Sequence, residues 1–207
     1  MYDIYELYIL NSVIDGKNVF SLPLFSEMDI SKLVADTIKE RMIEKGFLES
    51  PSSLADSSVR TIQRLQDFKH AKSYFQIDTV TMGIINDQEA ILIIENPFYK
   101  NYEIKRVDIS KGLQQLQEAY TFLKDESISE KIEETETRCS ERKLERLGYD
   151  KKLSLKIHSK SVDDEAKTLF FKKEDGFYVY DYLDHILYKK NYDTFIQILN
   201  ERVKIHD

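Results

Sequence analysis

The apolar residues of this chain change period at residue 73, and that change limits the fold more than any other feature. Before it they recur at helical spacing: Ile4, Leu7, Tyr8 and Leu10, then the positions Ile30, Leu33, Val34, Thr37, Ile38, Arg41 and Met42, then Val59, Ile62, Leu65 and Phe68. After it, β-branched and aromatic residues take over in Tyr74–Met82, Ala90–Ile94 and Tyr102–Val107. A 3.6-residue period buries a stripe and a period of two buries a face, so three helices packing on strands are expected.

The punctuation agrees with this division. Asp15-Gly16-Lys17 marks a turn, and Pro23 favours extended backbone at Leu22. Asp29 is the expected N-cap of the second helix and Gly46 the residue just beyond its end. Pro51-Ser52-Ser53 breaks the chain before a third helix over 54–72, and Asn86-Asp87 turns it between strands. Short connections between the strands predict antiparallel neighbours. Asp108-Ile109-Ser110 opens a helix carrying Leu113, Leu116, Ala119, Tyr120 and Leu123.

Residues 124–148 are rich in Glu and Lys and read as an interrupted helical connector or, preferably, a solvated surface helix pair. The earlier order then returns. Leu153–His158, Thr168–Phe171 and Phe177–Tyr180 read as strands, with Glu174-Asp175-Gly176 as a hairpin turn. A closing helix or helix pair carries Leu183, Ile186, Leu187, Phe195, Ile198, Leu199 and Val203. The expectation is one α+β domain over 1–207. It comprises a helical N-terminal segment (1–72), a first sheet-helix half (73–123), a charged connector (124–151) and a second sheet-helix half (152–207). The two strand-strand-strand-helix halves are compatible with one antiparallel sheet or with a pseudo-twofold pair.

Charge and motifs bear on function. The 207 residues carry a net charge of −7, which repels nucleic acid and anionic lipid. No apolar run reaches the ~20 residues that span a bilayer, and the opening Met1–Leu10 is acidic where a secretion signal is basic. The single cysteine, Cys139, allows no internal disulfide or cysteine-zinc cluster, and its glutamate neighbours disfavour a thiolate. These points together lead us to expect a cytoplasmic protein. His70, His158, His185 and His206 show no metal-ligand spacing with one another; Asp181 and His185 share an i, i+4 relation that a charged helix start explains. The glycines are isolated, so no phosphate-binding loop or nucleophile elbow is present. No catalytic residue, metal or cofactor is expected.

Arg60, Arg64, Lys69 and Lys72 on the third helix keep a winged-helix DNA reader in view, but nearby acidic residues and the acidic whole favour a helical pair packed on the sheet. Aromatic residues remain unexplained: 13 Tyr and 11 Phe. Phe98 and Tyr99 fall at the tip between the second and third strands, where a partner or the edge of the core must cover them. A second concentration runs through Tyr178, Tyr180, Tyr182, Tyr188 and Tyr192, mostly suited to packing. The expected partner-binding set is Phe98, Tyr99, Tyr102, Tyr178 and Tyr180.

Glu6-Leu7-Tyr8-Ile9-Leu10, Leu22-Pro23 and the run Ile38-Lys39-Glu40-Arg41-Met42-Ile43-Glu44-Lys45-Gly46-Phe47-Leu48, followed by a helix and a meandering sheet, form an arrangement that resembles the EspG-like cytoplasmic chaperones of type VII (ESX) secretion systems. It looks most like the Firmicutes branch encoded beside LXG toxins. The resemblance implies a non-catalytic chaperone that holds a helical-hairpin substrate soluble and delivers it for export. It also implies that the loop bearing Phe98-Tyr99 lies where such chaperones meet their substrate. The other readings are a toxin-neutralising immunity protein, the winged-helix regulator and a small hydrolase without a motif.

Overall fold

The computed structural model describes residues 1–109, 120–124, 133–161 and 165–203. It is α+β, with antiparallel sheets and a helical N-terminal segment. Two compact units emerge: Met1–Lys72 with Thr79–Val107, and Ser73–Asp78 with Asp108–Asp207.

In the first unit a two-residue strand, β1 (Tyr2–Asp3), leads directly into α1 (Ile4–Ser12). Asp3 caps α1 by accepting the Tyr5 and Glu6 N–H groups, and the Glu6 carboxylate returns to accept the Asp3 N–H at 2.9 Å. After a short 3₁₀ turn at Phe25–Glu27, α2 spans Lys32–Glu44. Its N-cap is Ser31, whose hydroxyl accepts the Val34 N–H, so the cap lies two residues beyond the expected Asp29. Gly46 follows with φ +71°, the left-handed conformation that ends the helix. A short pair of strands, β2 (Leu48–Ser50) and β3 (Ser53–Leu54), turns the chain into α3 (Asp56–Lys69).

The strands of this unit are β5 (Val80–Ile84), β6 (Glu89–Asn96) and β7 (Asn101–Asp108), in the order β1-β7-β6-β5. Tyr2 pairs with Tyr102, and Val80 to Ile84 pair antiparallel with Ile94 to Ala90. Helix α3 lies on β5 and β6. The approach is so close that a Cβ on Gly83 would stand 2.8 Å from the buried Phe68 ring. Arg41 of α2 and Lys45, the residue that caps its C-terminus, reach the fully buried Glu6 of α1. Helix α2 departs from expectation in what it buries. Ile38 and Met42 enter the core, but Leu33 is 78 % exposed and Val34 is exposed as well.

The expected strand Tyr74–Met82 is two strands, β4 (Ser73–Ile77) and β5, separated by Asp78 at φ +49°. In the second unit β4 joins β9 (Ser154–Ser161), β10 (Glu165–Lys173), β11 (Gly176–Asp181), β12 (Ile186–Lys190) and β8 (Thr135–Arg138). Their order is β4-β9-β10-β11-β12-β8, with every pairing antiparallel. Glu174 and Asp175 make the expected tight turn, since Lys173 pairs with Gly176. Alternation sends Leu155, Ile157, Phe170, Phe177 and Val179 to one face, under Phe195 and Leu199 of the closing helix α5 (Tyr192–Val203). Leu169, Phe171 and Tyr180 take the other face, against Cys139 and Leu144, the latter on α4 (Glu141–Leu147).

Two expectations are corrected here. Ile186 and Leu187 belong to a strand and not to a closing helix, because β12 satisfies the backbone of β11 in the register Tyr180↔Leu187. The charged connector also holds a strand: β8 pairs with β12 and forms a short, fully exposed edge whose Glu136 and Arg138 discourage further pairing. Most of the helix expected after Asp108 lies outside the described residues.

Candidate protein-docking surface

The tip between β6 and β7 is built from its own short-range bonds. Asn96 accepts the N–H groups of Phe98 (3.1 Å) and Tyr99 (3.2 Å) on one side-chain oxygen. Pro97 fixes its own φ, and Lys100 at φ +48° turns the chain back toward Asn101, which pairs with Asp3. The aromatic residues at the centre of this turn point away from the sheet. Phe98 is 91 % exposed and Tyr99 78 %. Aromatic rings without cover in this way are uncommon on a chain that makes no further contacts.

The other three expected partner-binding tyrosines are placed differently. Tyr102 is one step into β7, where alternation turns it inward beside Tyr2; burial, and then Glu95, hold its phenol above the ordinary range. Tyr180 is fully buried, its hydroxyl 3.0 Å from His185 Nδ1 and its ring edge-on to Tyr182. Tyr178 is half-buried, stacked at 5.1 Å on Phe171, and donates its hydroxyl to Asp175 at 2.7 Å. Burial, reinforced by the Asp175 hydrogen bond, raises its pKa. Tyr178 and Tyr180 lie two residues apart on one strand, so both turn to the face that Leu144 and Cys139 close. Of the expected set, Phe98 and Tyr99 are thus open to solvent, while Tyr102 and Tyr180 serve the interior. Sequence reasoning missed Leu33 and Val34 as surface residues; they belonged to a continuous helical stripe, which carries no mark of where the core stops.

Most of the ionisable groups singled out from the sequence are occupied in structural roles. Asp181 and His185 share no helix: Asp181 accepts the N–H groups of Leu183 and Asp184 in the turn after β11 and also receives Arg202 at 3.3 Å. His158 meets Glu165 at 2.8 Å, His70 Nδ1 lies 2.8 Å from the Gln66 carbonyl, and His206 lies outside the described residues. No group of three His, Cys, Asp or Glu suited to a metal ion occurs among the described residues. On the helix considered for DNA reading, Lys69 pairs with Asp15, Lys72 lies 4.0 Å from Asp87 and Arg64 donates to the Ile104 carbonyl at 2.9 Å. Cys139 is a free, buried thiol. Among the described residues no helix is long and apolar enough to cross a membrane.

The chain is thus an α+β protein of antiparallel sheets that presents two exposed aromatic rings on a hairpin tip. It belongs to the family described as Domain of unknown function (DUF5081), whose profile matches residues 1–206. Comparison with the curated proteins and with the solved structures found no match.

Proposed function

We propose that this protein is a non-catalytic cytoplasmic chaperone that binds a helical type VII secretion substrate, such as the N-terminal part of an LXG toxin, and keeps it soluble for export. The observation that supports the reading is the presentation of Phe98 and Tyr99. A helical hairpin exposes an apolar stripe that needs an apolar contact in water, and two adjacent exposed rings on a turn whose backbone Asn96 holds supply one. Leu33 and Val34 add exposed apolar surface on the same unit.

The test is co-purification of the chain with the N-terminal helical part of such a toxin and, separately, with its toxic domain. Capture of the helical part supports the chaperone. Capture of the toxic domain alone replaces it with an immunity role, and salt-sensitive duplex binding replaces it with a DNA regulator. The variant Phe98→Ser/Tyr99→Ser should weaken capture about a hundredfold, the scale of two anchors at the centre of an interface. Its melting temperature should stay within about 2 °C of the native chain. Undiminished capture by that folded variant would remove the tip from the interface.

A further inference from the structure

The sheet face of the second unit that carries Leu169, Phe171 and Tyr180 becomes polar toward β4 and β9. Gln76 and Lys167 are the direct cross-strand partners of His158, one on each side, so the three form a row across β4, β9 and β10. Lys156 stands two residues along β9, on the same face. With Asp78 these side chains line a cleft of about 260 Å³.

The two lysines converge on one aromatic ring: Nζ of Lys156 lies 4.7 Å and Nζ of Lys167 lies 5.7 Å from the Tyr182 centroid. Two of the nearby carboxylates have other partners. Glu165 meets His158 at 2.8 Å and Lys160 at 3.9 Å, and Asp78 accepts the Tyr120 hydroxyl. Neither Lys156 nor Lys167 has an ion-pair partner among the described residues. Burial first, and then the charge of Lys167, lower the pKa of Lys156, with Glu141 acting in the opposite sense. Two ammonium groups thus face one cleft, neither in an ion pair with a carboxylate of the described residues, on a protein that is acidic overall.

We propose that this cleft is a binding site for the phosphate group of a small ligand, with Lys156 and Lys167 as its paired cations. Two unpaired positive charges match a phosphate monoester, which carries −1.5 to −2 near pH 7 as a general property. Lysine serves phosphate as a point charge, without the planar fork that arginine offers a carboxylate. Gln76 supplies an amide donor beside the pair, and Asp78, also in the lining, has one carboxylate oxygen hydrogen-bonded by the Tyr120 hydroxyl. The volume suits a small ester and is too small for a dinucleotide.

The test is isothermal titration of the full chain with inorganic phosphate and with glycerol 3-phosphate, each against chloride at matched ionic strength. The expected result is saturable binding tighter than about 1 mM for phosphate and none for chloride. Tighter binding of the ester assigns the site to an organic phosphate; equal binding assigns it to the free ion. Lys156→Met and Lys167→Met should each cost about tenfold in affinity, and the pair should abolish it, with an unchanged circular dichroism spectrum. Lys156→Gln and Lys167→Gln provide the same reading if a Met variant folds poorly. The amine of Lys156 should also react more slowly with an acylating reagent when phosphate is present, followed by mass spectrometry. Absence of saturable binding, or a folded double variant that binds as the native chain does, overturns the proposal.

Discussion

Replacing Glu6 tests how the helices of the first unit are held together. Its side chain is fully buried. One oxygen accepts Lys45 Nζ at 2.7 Å and Arg41 Nε at 3.2 Å; the other accepts the Asp3 N–H at 2.9 Å and completes the cap of α1. Glu6→Ala removes three charge-assisted hydrogen bonds, since the carboxylate is the acceptor in each. Hydrogen bonds to charged groups contribute about 1.5–3 kcal/mol each. Arg41 and Lys45 are 43 % and 41 % exposed, so water recovers part of their solvation and each of those two bonds contributes only about 0.7 kcal/mol. With about 1.5 kcal/mol for the Asp3 N–H bond, the loss should be about 3 kcal/mol. Glu6→Gln keeps an acceptor for the Asp3 N–H while removing the charge, and should cost about 1–2 kcal/mol. With a urea slope of about 2 kcal/mol/M, the Ala variant should unfold about 1.5 M earlier, read by far-ultraviolet circular dichroism. An Ala variant within about 0.5 kcal/mol of the native chain, or one equal to Gln, would refute this account of the clamp.

Gly83→Ala should destabilise the first unit by about 1–3 kcal/mol, since the new methyl must displace the fully buried Phe68 ring; urea unfolding reads the loss, and an unchanged midpoint would show that α3 can shift away. Tyr182 is pushed up to about 12, first by burial and then by Tyr149, Glu141, Tyr180 and Glu145. The neutral phenol is favoured in the folded state, so its stabilisation is complete below pH 10 and is lost as pH rises through about 12. Tyr182→Phe should therefore flatten the fall of stability over that window, followed by melting temperature against pH, and should remove one late-titrating phenol from the absorbance at 295 nm.

Much of the local structure was legible because it depends on residues close in sequence. Gly46 ends α2 by its own backbone freedom, Asn86-Asp87 and Glu174-Asp175 turn strands back on themselves, and the apolar spacing of 54–72 suffices to mark α3. The tip at Phe98-Tyr99 was legible for the same reason: Asn96 and Pro97 shape it without help from elsewhere. Cys139 gave no hint that it would be buried under β8's neighbours, since its own segment is almost wholly charged. The run 183–187 was misread as helix because Ile186 and Leu187 fit a helical period as readily as a strand.

The sequence alone determined the class of each well-marked segment, the acidic balance and the two aromatic residues at the hairpin tip. Local sterics, capping and periodicity act over a few residues and need no partner. The tertiary structure decided which aromatics are interior, where the run 74–82 breaks, that β12 and β8 are strands, and that Lys156 and Lys167 meet over Tyr182. Each of those outcomes depends on a neighbour distant in sequence: a strand forms where another strand leaves backbone groups unpaired, and a side chain is buried only where a second surface arrives to cover it.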